Sequence, residues 1–421
     1  MEITSKNQII DYFSSGCKAD LLIGVENEKF LFREKDQQRV NYSDIKKVLN
    51  LYSEKYKWEK IFENENLIGL KLGGKSITLE PGNQIELSGD KYKNIHGVCS
   101  ESYDFQSKLN EICKNLKLKT IAVGHDPYSK LSDVPNNPKQ RYEIMTKEMP
   151  KNGKQSLNMM YQTSGTQINI DYSSEEDFKK KFKVISFLIP ITIGVFANSA
   201  ISENKPSGYL SLRSKVWQET ARGGLPEIFL EDMDFEKYAD FAINFPLLFL
   251  KKNNLYTSAN GKKFKDFMEG KIENTKNLPN LDDLELHLST IFTENRLKKY
   301  IEIRSLDACE WDCHCAGPAF LIGLIYGNLE NTISIINKWK KEDVLNAYIE
   351  APKKGLNTII NNKKILDWLK IFYDISKNGL EKRKELNKTK RDETIFLKNI
   401  KEILDNKKTK ADKSLENLIN E

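Results

Sequence analysis

The chain has 421 residues, 39% of them hydrophobic and 10% aromatic, enough to bury a substantial core and too apolar for a disordered chain. Lys and Arg total 66 against 60 Asp and Glu, a net charge of +6 that is dispersed along the chain; this suits small anions such as nucleotides and argues against a nucleic-acid surface, which needs a clustered patch. No apolar run reaches the roughly 20 residues that cross a bilayer, and the start Met1-Glu-Ile-Thr-Ser-Lys6 lacks the basic head and apolar stretch of a signal peptide, so no membrane partner, a cytoplasmic location and reduced thiols are expected.

In chain order, Ile23–Glu28 alternates apolar and acidic residues and reads as a strand, and Asp44–Phe62 has helical spacing. Leu67–Leu72 and Ser76–Glu80 flank Gly73-Gly74-Lys75, which predicts a β-hairpin. Gln84–Ser88 alternates again, and Tyr103–Leu116 reads as a helix. A loop rich in Pro, Asn and Asp spans His125–Pro138. Thr166–Asp171 is the next alternating segment. A helix is predicted over Glu175–Ala197, opened by the capping run Ser173-Ser-Glu-Glu176 and containing the longest apolar stretch, with Pro190 inside it. Arg222–Pro226 reads as a Gly/Pro loop, Leu284–Leu297 as a helix and Tyr300–Arg304 as a strand. From Leu380 the chain is Lys/Glu-rich and helical. No repeat or Ser/Gly linker divides it, so one α+β catalytic domain over 1–421 is expected, with a core at about 20–378 and peripheral helices over 380–421.

The five alternating segments share one pattern. Ile23, Val25, Ile77, Leu79, Ile85, Leu87, Ile168, Ile170, Ile301 and Ile303 fall on one parity, and Glu26, Glu28, Glu80, Glu86, Gln167, Asn169, Asp171, Glu302 and Arg304 on the other. Glu is a poor strand former, and carboxylates crowded on one sheet face repel each other. Divalent magnesium relieves that repulsion, since it prefers carboxylate and phosphate oxygens. A metal–phosphate site is therefore expected in preference to five solvated sheet faces.

Two other motifs carry less. Gly69-Leu-Lys-Leu-Gly-Gly-Lys-Ser76 fits the P-loop pattern, but a phosphate loop must lead into a helix. Here a strand follows and Pro81 halts it, so the segment reads as a hairpin turn. Cys309, Cys313, His314 and Cys315 lack the second ligand pair of a zinc site, and adjacent residues do not converge on one tetrahedron. Buried or loop thiols are expected, with a disulfide through Cys315 open under oxidising conditions. None of the four histidines sits in a nucleophile-elbow context, which leaves carboxylates, metal and basic residues to do the chemistry.

Collinear segments then resemble one family: Gly24–Phe30, Ile77–Gly89, Met159–Thr163 running into Gln167–Ser174, Phe196–Ser199, Lys205–Gly208, Arg213–Trp217, His287–Phe292, and Tyr300–Arg304 with Asp307. They resemble glutamate–cysteine ligase of the plant and proteobacterial type from about Leu21 onward. The resemblance implies a glutamine synthetase-like fold, an antiparallel sheet curled into a funnel with helices outside. It implies ligation of the glutamate γ-carboxylate to the cysteine amine through γ-glutamyl phosphate, with ATP as co-substrate and Mg²⁺ as cofactor, as the first step of glutathione biosynthesis. The implied metal ligands are Glu26, Glu28, Glu80, Glu86 and Glu302, with Glu26 and Arg304 as catalytic groups. Arg141 and Arg213 match family positions that grip glutamate carboxylates, and Trp217 walls the site. Lys29, Gln167, Asn169 and Arg222 are expected at the nucleotide. A monomer or homodimer is implied. Against the family pattern, Gln162 and Gly165 replace Arg and Thr, Lys215 replaces a histidine, and the loop from Trp217 to Leu225 is shorter. These departures leave a related carboxylate–amine ligase with a different amine acceptor as the alternative.

Overall fold

A computed structural model describes residues 2–420 except Asn254, Asn274 and Lys276. Its centre is a nine-stranded antiparallel sheet. The strands are β1 (Ile23–Arg33), β2 (Glu59–Glu63), β3 (Asn66–Leu72), β4 (Lys75–Leu79), β5 (Ile85–Ser88), β6 (Leu118–Ile121), β7 (Gly165–Ile170), β8 (Asn295–Leu297) and β9 (Ile301–Asp307). Their order is β8-β9-β7-β1-β5-β4-β3-β2, and β6 pairs with the second half of β1. All five alternating segments thus lie side by side as β9, β7, β1, β5 and β4. The α+β expectation with an antiparallel sheet is met.

Period-two alternation gives the sheet two unlike faces. The ten apolar residues of the pattern are all buried, none more than 4% exposed. Full burial of such a side chain contributes about 1.5–3 kcal/mol. Those of β7, β9 and the start of β1 join a core formed with the helix Glu175–Val195 and the helix Ile365–Arg383. Those of β4 and β5 pack against the helices Tyr42–Tyr56 and Ile95–Asn115. The opposite face carries the carboxylates and is roofed by a third apolar cluster, including Tyr142, Met145, Met159, Met160, Trp217 and Phe292.

Capping sets the helix starts. Asn41 accepts from Asp44 N at 3.0 Å, Asn94 from Gly97 N at 3.0 Å, and Ser174 from Asp177 N at 3.1 Å, each satisfying an orphan N–H of a first turn. Pro190 lies inside the buried helix Glu175–Val195. Gly73, at φ +61°, turns the β3–β4 hairpin, so no helix follows the P-loop-like sequence. Among the described residues no single helix is long and apolar enough to cross a membrane.

Two element expectations change. The helix expected over Asp44–Phe62 ends at Tyr56, where Lys57 takes the left-handed conformation at φ +61°, and Glu59–Glu63 pairs with β3. The helix expected over Leu284–Leu297 ends at Ser289, and Asn295–Leu297 becomes β8. The apolar spacing Leu284, Leu288, Ile291 fits a helix, but a hairpin onto β9 captures the chain. The Lys/Glu-rich tail forms helices Lys398–Asn406 and Lys410–Asn420.

Candidate active site

Antiparallel register assembles the acidic face. Glu28 sits opposite Glu86, Glu26 opposite Ser88 on one side and Gln167 on the other, and Glu302 opposite Asn169. Amides and hydroxyls hold the carboxylates. Asn169 Nδ2 donates to Glu26 at 2.9 Å, Gln167 Nε2 to Glu28 at 2.9 Å, and Gly165 N to Glu28 at 2.7 Å. Ser88 donates to Glu86 at 2.5 Å, and the Tyr142 hydroxyl reaches Glu80 at 3.4 Å. Glu26, Glu28, Glu80 and Glu86 line one cleft of about 200 Å³ together with Gln84, Gln167, Arg141, Arg304, Arg296 and Trp217. A larger hollow of 990 Å³ opens among residues 250–286 and shares no residue with this face.

The electrostatics record the crowding. Burial, followed by repulsion from Glu80, pushes the Glu28 carboxyl up to about 7. Glu86 is held well above the carboxylate range by burial and by Glu26, Glu80 and Glu28 in turn. Glu26 is raised by burial and by Glu302. Among the described residues, no Lys or Arg forms an ion pair with Glu26, Glu28, Glu80 or Glu86, whereas Glu302 pairs with Arg296, Lys298 and Arg304. Crowded carboxylates that no Lys or Arg pairs with directly have the chemistry a hard divalent cation would meet. Among the described residues, no group of three or more His, Cys, Asp or Glu side chains is placed to hold a metal ion by itself.

Cations stand opposite. Arg141 lines the cleft, and no carboxylate pairs with it among the described residues. Arg304 donates to both Gln167 and Glu302, and its guanidinium lies 5.2 Å from the Trp217 ring centre. The Arg213 guanidinium lies 5.0 Å from the centre of the same ring and donates to the Arg304 carbonyl at 2.7 Å.

The sequence pattern of glutamate–cysteine ligase family 2 matches residues 22–418. The chain belongs to that family. The chloroplastic glutamate–cysteine ligase B of Oryza sativa subsp. japonica is 40% identical over 390 residues, covering 91% of this chain and 79% of the relative. The chloroplastic enzyme of Nicotiana tabacum is 37% identical over 423 residues, covering 99% and 80%. The crystal structure of glutamate–cysteine ligase from Francisella tularensis in complex with AMP superposes with a TM-score of 0.50 at 14% identity, covering 95% of this chain and 85% of that one, and supports the fold. As a member of the glutamate–cysteine ligase family, the protein is a ligase. These relatives, like that of Arabidopsis thaliana, are named chloroplastic, which overturns the cytoplasmic expectation.

Within this glutamate–cysteine ligase family member, two expected site residues stand elsewhere, and a third, Glu302, lies on the acidic face but is already engaged. Lys29 shares the parity of Val25, so it points to the opposite face, where it is 1% exposed and donates to Asn27 at 3.2 Å. Burial lowers it to about 8, and it belongs with Asn27, Ser102 and His314 behind the sheet. Arg222 gives Nε and Nη2 to Thr290 and Nη1 to the Pro246 carbonyl, at 2.7–2.9 Å, and so braces the loop before β8 instead of meeting phosphate. Arg222→Ala is therefore expected to lower Tm while leaving the nucleotide KM unchanged, as thermal melts and initial rates would show. Glu302, 0% exposed, is enclosed by three cations that hold it well below the carboxylate range against the opposing effect of burial. It organises Arg296 and Arg304 instead of offering free oxygens to a metal.

Arg296 was hidden from the sequence because β8 reads as helix; its place opposite Glu302 across a tight hairpin is the signal that locates it. The thiol expectation also changes. Cys99 is bonded to Cys315 and Cys309 to Cys313, while Cys17 and Cys113 are free. His314 packs between Ser102 and Asn27, and no metal cluster forms there among the described residues.

Proposed function

We propose that the chain joins the γ-carboxylate of glutamate to the amine of cysteine at the expense of ATP. The observation that supports this most is the division of one cleft into a carboxylate floor (Glu26, Glu28, Glu80, Glu86) and an arginine wall (Arg141, Arg304, Arg296). Such a cleft neutralises a nucleotide's phosphates at one end and an amino acid's carboxylates at the other. Phosphoryl transfer asks a protein for positioning and charge compensation more than for covalent participation.

The floor residues Glu26, Glu28, Glu80 and Glu86 would hold Mg²⁺, which screens the phosphate charge when bound. Gln167 and Asn169 keep Glu26 and Glu28 oriented through their amides. Arg141, with its two-pronged guanidinium, is placed to fix a glutamate carboxylate. The γ-carboxylate oxygen attacks the terminal phosphorus of ATP and ADP departs. Arg304 at the cleft wall stabilises charge on the transferring group. The acceptor nitrogen then attacks the acyl carbon, loses a proton, and phosphate leaves. Trp217 and Phe292 exclude water from the acyl phosphate.

Cysteine is favoured as the acceptor by the family. Two of the departures lie outside the cleft: Gln162 donates to the Ser129 carbonyl at 2.8 Å, and Lys215 pairs with Glu219 at 2.7 Å. Gly165 lies against Arg213, where a Cβ would stand 2.8 Å from Nη2. The test is Mg-ATP-dependent phosphate release with glutamate, with and without cysteine, the product read by mass. A γ-glutamylcysteine mass that needs cysteine is the expected result. Phosphate release with that mass absent would transfer the reading to another amine acceptor.

A further inference from the structure

Arg141 reaches the cleft without the usual anchors of an arginine. It lines the cleft, yet among the described residues its guanidinium makes no ion pair and no hydrogen bond, and its Nε is buried without a partner. The contacts that remain are rings. The Phe249 ring centre lies 5.6 Å from the guanidinium carbon and the Tyr142 ring centre 5.8 Å. Both fall within the roughly 6 Å at which the negative face of an aromatic ring attracts a cation.

The two rings differ in origin. Tyr142 is the next residue of the same helix, Gln140–Glu148, and its hydroxyl donates to the Leu79 carbonyl at 2.9 Å. Phe249 comes from outside that helix. It opens a two-stranded hairpin, Phe249–Lys252 with Leu255–Ser258. It is 3% exposed, and its ring meets that of Tyr256 on the opposite strand edge-on at 5.2 Å. The strand Leu255–Ser258 packs against the helix that carries Arg141. The root of the hairpin is braced by Arg222, which donates to the Pro246 carbonyl. The ring is therefore held against the guanidinium from a fixed base.

A long cation with nothing to grip samples many rotamers, and ordering it on binding costs entropy. A carboxylate partner would order it, but would occupy the planar N–H fork that a substrate carboxylate needs. A ring face attracts the cation without taking up any N–H. We infer that Phe249 is a positioning residue for substrate glutamate, its ring holding the Arg141 guanidinium in the cleft with the N–H fork unoccupied. The inference rests on Arg141 meeting a glutamate carboxylate, as proposed above.

Steady-state kinetics on the full chain carrying Phe249→Leu, Arg141→Met and both together test it. Phe249→Leu keeps an apolar side chain and removes the ring; its glutamate KM is expected to rise about three- to thirtyfold, the span of a cation–π contact from exposed to desolvated, with the ATP KM unchanged. In the Arg141→Met background the same change is expected to raise it no further, because the ring acts through the arginine. Replacing Phe249 by mono-, di- and trifluorophenylalanine keeps the shape and withdraws charge from the ring face step by step. The glutamate KM is expected to climb along that series, which a ring that only fills space would not cause. A raised glutamate KM for Arg141→Met with a flat fluorination series overturns the inference and keeps the reading of Arg141. A normal glutamate KM for Arg141→Met overturns that reading itself. Should Phe249→Leu fail to fold, the fluorinated series, which preserves the packing, decides alone.

Discussion

Glu86→Gln is expected to reduce turnover about a hundredfold or more, the scale of losing one preorganised electrostatic group, and at the same time to raise Tm by several degrees. The carboxylate is 6% exposed, with Glu26, Glu80 and Glu28 all acting against its ionisation. Glutamine keeps the volume and still accepts from Ser88 and Thr78, so the substitution deletes charge and little else. Function and stability oppose each other at such a position. Glu28 extends this to pH. Its ordinary value is 4.5 and its folded value about 7. Between those limits the folded state binds more protons than the unfolded one, so its contribution is complete below the lower limit and is lost as pH rises through the upper. The metal-free protein should therefore melt at lower temperature as pH is raised across that window, and added magnesium with nucleotide should flatten the dependence. Calorimetry of wild type and Glu86→Gln with and without magnesium checks both. A Glu86→Gln protein that melts earlier and turns over normally would defeat the metal-floor reading.

Arg39→Ala is expected to cost about 3–5 kcal/mol of stability, the range for removing one partner of a buried ion pair. Arg39 and Asp126 both have fully buried side chains and meet at 2.9 Å. The guanidinium also donates to the Gly82 carbonyl and stacks 4.5 Å from the Phe30 ring centre. Asp126 in turn caps the backbone of Tyr128 and Ser129 at 2.8 and 2.9 Å. One arginine thus ties the middle of β1, the turn before Gln84 and the loop that leads to Arg141. Chemical denaturation should show the loss, and the Arg39→Ala, Asp126→Ala pair should lose less than the sum of the singles, because the second change removes the orphaned charge left by the first. Losses that simply add would show the two charges to be energetically independent.

The floor of the cleft was legible because period two is a local property: Glu26, Glu28, Glu80 and Glu86 declare their face from their own neighbours. The same parity argument excludes Lys29 from that face, so this correction was available in the sequence. Arg222 and Glu302 were not legible, since the first is defined by carbonyls of Thr290 and Pro246 and the second by cations that converge only after β8 folds onto β9. Helical spacing over Leu284–Ile291 obscured β8 because the apolar period continues past the point where tertiary pairing takes over. The bond between Cys99 and Cys315 joins positions 216 residues apart, and no local pattern reports such a meeting.

The two-faced character of β1 makes the strand intolerant of insertion. Its Glu26 and Glu28 floor the cleft while Asn27 and Lys29 sit behind. A single inserted or deleted residue near Val25 would exchange the sets, driving carboxylates into the apolar layer and delivering an amide and a lysine to the cleft.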